Sequence, residues 1–128
     1  VGNFLRDKLA GRPIQVNGDG TPLRSYLYAA DLSVWLWTIL FRGVPLRPYN
    51  VGSPDPISVG ELANLVADAG EPHVSVKIAG RPQPAQAKAR YVPDVSRARD
   101  ELGLEVTVGI EEAIQRTLAW HRARVGLQ

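Results

Sequence analysis

Two arginines are the side chains whose types and surroundings best suit the binding of an anion. Arg24 lies on a predicted strand among the apolar and aromatic neighbours Leu23, Tyr26 and Tyr28, and a guanidinium in such a place must reach an anion or solvent. Arg81 lies in a proline-rich loop. Two guanidinium groups from separate segments can clamp a diphosphate through bidentate, charge-assisted hydrogen bonds. The alternative is a general excess of arginine, because 12 of the 15 basic residues are arginine and a GC-rich genome produces the same bias.

The carboxylates and histidines that could carry acid–base or metal chemistry have structural explanations. Asp19 lies in a Gly-Asp-Gly turn, where the side chain commonly bonds to the backbone. Asp31 stands just before an apolar helical run, where a carboxylate caps free N–H groups at the positive end of the helix dipole. His73 and His121 have neither a second histidine nor a carboxylate at metal-ligand spacing. We therefore predict no catalytic residue and no metal site.

The glycine-rich segment Gly18-Asp19-Gly20 is a turn and does not have the pattern of a nucleotide cradle. It lacks the third glycine of G-x-G-x-x-G and lies between two predicted strands. No helix begins there, so a phosphate bound at this turn would not meet a helix N-terminus. We predict no cofactor-binding residue in this chain.

Composition limits the class of protein. The chain has 128 residues, a formal net charge of +2, 45% hydrophobic and 22% charged residues, and no cysteine. These values fit one globular domain and exclude disulfide frameworks, thiolate metal sites and a cysteine nucleophile. The small charge disfavours nucleic-acid binding. No apolar run reaches the ~20 residues of a membrane span, so we expect a soluble, cytoplasmic protein with no membrane partner.

The elements that position these residues alternate between short strands and helices, which predicts an α+β fold. The predicted helices cover Phe4–Ala10, Asp31–Phe41, Ser58 to about Gly70, Ser96–Leu102 and Val108–Val125. The predicted strands are Ile14–Val16, Arg24–Tyr28, Tyr49–Gly52 and Val74–Ile78, and Ala79–Lys88 reads as a loop. Ser58-Val59-Gly60-Glu61 fits the S-x-x-E capping box of a helix start.

The second helix is apolar nearly all round and needs cover on more than one side. A chain of 128 residues would struggle to bury both Trp35 and Trp37. The sequence also has no methionine and begins at Val1. Both features lead us to expect that the chain is part of a longer protein and that a partner domain is missing.

The order of several segments resembles the C-terminal part of the nucleotide-sugar epimerases and dehydratases, which are extended short-chain dehydrogenase/reductases. Residues 11–20 look like the family's G-K-P-x-x-x-x-G-D-G stretch, and residues 24–31 are similar to R-D-W-L-Y-V-x-D. Residues 49–52 look like Y-N-I-G, residues 58–62 resemble the next helix start, Arg81-Pro82 resembles R-P, and residues 94–104 look like D-x-S-K-x-x-x-x-L-G-W. The resemblance covers nearly the whole chain.

The resemblance implies that residues 1–128 are the C-terminal substrate-binding lobe of a Rossmann-type α/β enzyme, with the N-terminal Rossmann domain missing. That domain would hold NAD or NADP, and no cofactor is expected on this fragment. The implied partners are a UDP-, dTDP-, GDP- or CDP-linked sugar, the N-terminal domain, and a second copy in a full-length homodimer. The implied substrate contacts are Gln15, Val16 and Asn17 at the nucleobase, Arg24 and Arg81 at the diphosphate, and Ser58 at the nucleotide, unless Ser58 only caps its helix.

Two departures separate this chain from a complete family member. It contains neither G-x-x-G-x-x-G nor Y-x-x-x-K, so the cofactor cradle and the Tyr/Lys acid–base pair are absent from it. Where dehydratases of thymidine-linked glucose often have R-P-G-H, it has Arg81-Pro82-Gln83-Pro84. We therefore expect a fragment that is inactive alone. The alternative is a non-enzymatic scaffold or interaction module that keeps the lobe without its chemistry.

Overall fold

The computed structural model describes residues 1–81 and 89–125. In these ranges the helices are α1 (Gly2–Leu9), α2 (Ala29–Arg42), α3 (Val59–Asp68), α4 (Ser96–Leu102) and α5 (Ile110–Val125). The strands are β1 (Ile14–Val16), β2 (Leu23–Arg24), β3 (Ile57–Ser58), β4 (Val76–Ile78) and β5 (Arg90–Tyr91). The interleaved order confirms the predicted α+β class. Most of the predicted loop at 79–88 lies outside the described residues.

The strands form two small sheets. In the first, β1 pairs with β4 in parallel, with Ile14 opposite Val76. In the second, β2 lies in the centre, antiparallel to β3 and parallel to β5. Two strand predictions were wrong: β2 stops at Arg24 instead of reaching Tyr28, and 49–52 forms no strand within the described ranges. Alternating side chains favour an extended backbone, but a strand also needs a neighbour for its hydrogen bonds.

Two apolar clusters form the core. The larger one joins β1, α3 and α5 through buried aliphatic side chains such as Ile14, Leu62 and Leu118. The smaller one packs α2 against α4 through Trp35 and Leu102, with further small and aliphatic side chains around them. The apolar stripe predicted for α5 lies on the core at Ile110, Ile114 and Leu118, whereas the side chain of Val125 lies outside the description.

Polar groups close both ends of α3. At its start, the Ser58 hydroxyl accepts from the Glu61 N–H at 3.1 Å, and the Ser58 N–H donates to the Glu61 carboxylate at 2.9 Å, which is the predicted capping box. Near its end, the fully buried Lys8 ammonium donates to the carbonyl oxygens of Ala67, Gly70 and Pro72 at 2.6–2.7 Å. These three acceptors match the three N–H donors of lysine. Burial, together with the nearby Arg122 guanidinium, lowers the pKa of Lys8.

Asp31 has a structural role, but its partners differ from the prediction. It does not cap its own helix, since Tyr28 is the N-cap residue and offers no side-chain bond. Instead, the buried Asp31 carboxylate accepts from the backbone N–H groups of Thr107 and Val108, each at 3.0 Å, and from the Thr107 hydroxyl. Burial acts to raise the pKa of Asp31, but these hydrogen bonds outweigh it, so the pKa lies below its ordinary value. The contact fixes the start of α2 to the segment that leads into α5.

Helix α2 exposes a wide apolar face. Trp35 is 1% exposed, whereas Trp37 is 60% and Phe41 77% exposed, with the last two rings stacked at a centroid distance of 5.6 Å. Other exposed apolar side chains on and just after the helix are Leu32, Val34, Leu36, Leu40, Val44 and Leu46. The prediction that the chain cannot bury both tryptophans is confirmed. Contiguous exposed apolar side chains are typical of interaction surfaces.

Every helix in residues 1–81 and 89–125 is too short or too polar to cross a lipid bilayer.

Candidate functional site

Arg24 lies at the centre of the three-stranded sheet. Its register partners are Ile57 on β3 and Tyr91 on β5, and paired residues project from the same face of a sheet. The half-buried Arg24 donates through Nη1 to the carbonyl of Leu23 at 2.8 Å and more distantly to that of Ala89 at 3.5 Å. Its Nε and Nη2 have no partner among the described residues. The guanidinium is thus held by the backbone with donors left for an anion.

Arg81 follows a close approach between two backbone segments. The N–H of Ala79 donates to Val16 at 2.9 Å, and the N–H of Gly80 donates to Gly18 at 3.0 Å. A Cβ at position 80 would lie 2.8 Å from the backbone nitrogen of Asp19, which requires glycine there. Arg81 is exposed and makes no ion pair with a described residue. The backbone therefore places it beside the turn between β1 and β2.

The turn itself is held by Asp19. The Asp19 carboxylate accepts from the backbone N–H of Thr21 at 3.0 Å and from its hydroxyl at 2.9 Å. These bonds, chiefly the backbone one, lower the pKa of Asp19. The predicted structural role of Asp19 is confirmed, and its carboxylate is not a free general base.

The three residues predicted at the nucleobase lie at the end of β1. Gln15 and Asn17 are exposed. Val16 is 3% exposed and belongs to the larger core cluster, so a ligand there would meet its backbone. Asn17 leads into the turn that Arg81 adjoins, and the structure therefore brings Asn17 and Arg81 to the same edge.

Ser58 is separated from Arg24. Its register partner on β2 is Leu23, and successive residues of a strand project from opposite faces. Ser58 therefore lies on the face away from Arg24, with its hydroxyl engaged at Glu61. A phosphate at this helix start would also meet the Glu61 carboxylate.

Two open cavities are lined in part by the register partners of Arg24, Ile57 for the first and Tyr91 for the second, and no pattern in the sequence indicated them. The first, about 540 Å³, is rimmed by the carboxylates of Asp55, Glu61 and Glu111, and we call it the acidic cavity. The second, about 500 Å³, is the neutral cavity, lined by Ser25, Tyr26, Leu27, Leu32, Asn50, Val51, Gly52, Tyr91, Val92 and Pro93. Tyr26 borders both cavities, and burial raises the pKa of its hydroxyl. The described lining of these cavities includes none of the six predicted contact residues.

Metal chemistry has no support in the described ranges, where no three potential ligands of the His, Cys, Asp or Glu type come together. His73 is exposed, with its Nδ1 3.3 Å from the Asp68 carboxylate, and His121 packs edge-on against Trp120.

Known proteins resemble this chain in both sequence and fold. UDP-glucuronic acid decarboxylase 1 of Arabidopsis thaliana is 29% identical over 125 residues, which are 98% of this chain and 28% of the relative. The dTDP-glucose 4,6-dehydratase of Xanthomonas campestris pv. campestris is 30% identical over 122 residues, which are 88% of this chain and 34% of the relative. The chain is homologous to one part of these nucleotide-sugar enzymes. No family model matches it.

The solved structures agree on the fold. The Bordetella bronchiseptica enzyme WbmF, crystallised with NAD⁺ and UDP, superposes with a TM-score of 0.82 and 22% identity, over 97% of this chain and 36% of that one. The chain thus spans about a third of the length of the proteins that it matches. The predicted resemblance is confirmed, and the fold is that of a portion of a Rossmann-type enzyme.

In residues 1–81 and 89–125, neither the glycine-rich turn nor the start of α3 has the form of a dinucleotide cradle. A dinucleotide cradle needs a glycine-rich loop between a strand and a helix. Here the glycine-rich turn after β1 leads to β2, and the start of α3 is closed by its own capping box. The described chain therefore offers no pyrophosphate site of the dinucleotide type.

Proposed function

We propose that this chain is the substrate-binding portion of an NAD(P)-dependent nucleotide-sugar epimerase or dehydratase, and that it binds the nucleoside diphosphate of the substrate. The observation that carries the proposal is the Arg24 guanidinium, which is oriented by carbonyl oxygens and has no acidic partner in the described ranges. A cation held in this way suits a diphosphate, because charge-assisted bonds to phosphate replace the missing carboxylate. The relatives, whose names specify UDP- and dTDP-linked sugars, support the same ligand class.

The nucleotide would lie along the edge formed by β1 and the turn after it. Gln15 and Asn17 supply exposed amides for the nucleobase, and Val16 supplies backbone atoms. Arg24 and Arg81 hold the diphosphate from two separate segments. For Ser58 we propose helix capping alone, since its hydroxyl faces away from Arg24.

The chemistry would come from a second domain. We propose that an N-terminal Rossmann domain of the full-length enzyme holds NAD or NADP. We also propose that this domain covers the face of α2 on which Trp37 and Phe41 are exposed. NAD(P) held by that domain would supply the redox chemistry, and the described residues of this chain would bind the substrate without contributing an acid or a base. The chain alone would therefore be inactive, and the full-length enzyme would work as a cytoplasmic homodimer.

The test is calorimetric titration of the chain with UDP, dTDP, GDP and CDP. We expect at least one of them to bind, and Arg24→Ala to weaken that binding by about 1.5–3 kcal/mol, the usual worth of a hydrogen bond to a charged group. Arg6→Ala is the matched control, because Arg6 is an exposed arginine on α1. Equal affinity of the parent chain and Arg24→Ala would remove Arg24 from the site.

The second candidate function is an interaction module without chemistry, and the exposed apolar face of α2 is the observation that favours it. This alternative predicts no binding of any nucleoside diphosphate. Nucleic-acid binding is a third class of function, and a short DNA duplex in the same titration series tests it. Binding of the duplex with a steep dependence on salt would favour this class over the other two.

A further inference from the structure

The turn between β1 and β2 (residues 18–21) connects the two arginines that the proposed function places at the diphosphate. Arg24 lies three residues beyond this turn, on β2. On the other side, the Gly80 N–H donates to the Gly18 carbonyl at 3.0 Å, and Arg81 is the next residue in the chain. The shape of the turn therefore sets the separation between the backbone positions of Arg24 and Arg81.

The start of α3 holds the same turn from another direction. The Gly60 N–H donates to the Gly20 carbonyl at 2.9 Å, and the Val59 N–H donates to the Pro22 carbonyl at 3.0 Å. A Cβ at position 60 would lie 3.3 Å from the Gly20 carbonyl oxygen, so these two backbones approach more closely than side chains usually allow. The turn is thus attached to the end of β4 and to the start of α3 by backbone hydrogen bonds.

Asp19 fixes the conformation of the turn from within. Its carboxylate accepts from the Thr21 N–H at 3.0 Å and from the Thr21 hydroxyl at 2.9 Å. A carboxylate that bonds to the backbone two residues ahead stabilises one turn conformation over the others. The same carboxylate carries a negative charge, which would repel a diphosphate. The contacts of Asp19 therefore support a role in the shape of the site and not a direct contact with the ligand.

We propose that Asp19 is a positioning residue of the diphosphate site, which acts through the turn on the separation of Arg24 and Arg81. The inference rests on the proposed function. One arginine can hold a single phosphate wherever that arginine lies, whereas a diphosphate engages two arginines together only when their separation is right. A site held in that geometry before binding avoids the cost of ordering its side chains. The turn therefore determines the preference for a diphosphate over a monophosphate.

The experiment measures that preference by calorimetry, as the ratio of the affinities for the diphosphate and the monophosphate of one nucleoside. The nucleoside is whichever of uridine, thymidine, guanosine and cytidine gives the tightest diphosphate complex. We expect the parent chain to prefer the diphosphate at least about tenfold. Asp19→Ala should reduce the preference about three- to tenfold. The ratio does not respond to partial unfolding, which weakens both apparent affinities by the same factor.

Asp19→Asn separates the hydrogen bond from the charge. Both Asp19→Ala and Asp19→Asn remove the negative charge, but the asparagine amide keeps an oxygen that can accept from the Thr21 N–H. We therefore expect Asp19→Asn to retain most of the preference of the parent chain.

Asp94→Ala is the matched control. The Asp94 carboxylate also accepts from a backbone N–H two residues ahead, that of Ser96 at 2.9 Å, but it lies at the start of α4 and outside the turn. This variant should leave the preference unchanged. Hydrogen exchange without nucleotide gives a second measurement, because the Gly60 and Gly80 amides donate to the turn. Both should exchange faster in Asp19→Ala than in the parent chain and in Asp94→Ala.

Four results would overturn the positioning role. These are an unchanged preference in Asp19→Ala, an equal loss in Asp94→Ala, an equal loss in Asp19→Asn, and unchanged exchange of the Gly60 and Gly80 amides in Asp19→Ala. If Arg24→Ala weakens binding of the diphosphate while Asp19→Ala keeps the preference, the proposed function stands and Asp19 has no part in it. If no nucleoside diphosphate binds the parent chain, the proposed function fails and the positioning role fails with it.

Discussion

The two faces of α2 are both apolar, yet only one of them is covered by the described residues. On the inner face, Trp35 is packed against α4 and its indole Nε1 donates to the carbonyl of Glu105 at 3.1 Å. On the outer face, Trp37 and Phe41 stack on each other in solvent. Two cationic side chains show the same contrast. The buried Lys8 ammonium donates to three carbonyl oxygens inside the fold, whereas the exposed Arg81 guanidinium has no partner among the described residues. Saturated contacts mark the part that folds, and we propose the unsatisfied groups as the places where partners bind.

The largest expected effect comes from the two tryptophans. Trp35→Ala should lower the free energy of unfolding by about 3–5 kcal/mol, because it leaves a cavity in the smaller core cluster. Trp37→Ala should change it by less than about 0.5 kcal/mol, as is usual for exposed sites. Urea unfolding followed by circular dichroism measures both. Similar losses in the two variants would erase the distinction between the two faces.

The two cations give the next effect. Lys8→Met removes three hydrogen bonds and leaves the carbonyls of Ala67, Gly70 and Pro72 without that donor, so we expect a loss of about 1–3 kcal/mol in the free energy of unfolding. Arg81→Met is the control and should be close to neutral for stability. A Lys8→Met variant as stable as the parent chain would contradict the assigned role of Lys8.

Asp31 gives a smaller and pH-dependent effect. Its pKa in the folded chain lies below the ordinary 3.8, so the folded state binds the proton more weakly than the unfolded state. The stability that Asp31 contributes is fully present above pH 3.8 and is lost as the pH falls through the lower, folded pKa. Asp31→Asn should therefore cost about 1–2 kcal/mol at pH 7, where hydrogen bonds to the charged carboxylate are lost.

The measurement for Asp31 is urea unfolding of the parent chain and Asp31→Asn between pH 2 and pH 7. We expect the difference in stability to shrink below pH 3.8, where the Asp31 carboxylate of the unfolded parent becomes protonated, and to level off below the lower pKa of the folded state. A constant difference over the whole range would contradict the role given to the charge.

A substitution at Trp37, on the outer face of α2, should change stability least and self-association most. Trp37→Glu should leave the free energy of unfolding within about 0.5 kcal/mol of the parent, and it should reduce self-association through the outer face of α2. Light scattering at increasing concentration measures this. Trp120→Glu is the control, because Trp120 is also exposed but lies on α5 against the Arg124 guanidinium. A parent chain that stays monomeric would show that the outer face does not drive self-association.

Local signals were enough for several elements of the fold. The S-x-x-E spacing predicted the start of α3, and the predicted helix Ser96–Leu102 matches α4, which ends before Gly103, whose φ of 66° suits a residue without a side chain. The Gly-Asp-Gly pattern predicted the Asp19 turn. Each of these depends on contacts within a few residues, which a sequence pattern records directly.

Contacts between residues distant in the chain could not be predicted from the sequence. Nothing in the spacing of Lys8 indicates its acceptors at 67, 70 and 72, and Asp31 looked like a cap for its own helix although its partners lie at Thr107 and Val108. The two cavities escaped for the same reason, because their walls come from distant segments. The arginines were found as candidates from their type and surroundings, and their use as ligands for a diphosphate is still a prediction.

The sequence by itself determined the order of the five helices, the strands β1 and β4, the excess of apolar surface on α2 and the resemblance to the nucleotide-sugar enzymes, because these depend on residue type and order along the chain. The tertiary structure decided which side chains are saturated and which are free. It brought the two register partners of Arg24 to the walls of different cavities, turned Ser58 to the opposite face, and closed the end of α3 with Lys8. Those outcomes depend on the pairing of β2 with β3 and β5 and on helix packing, which no local pattern encodes.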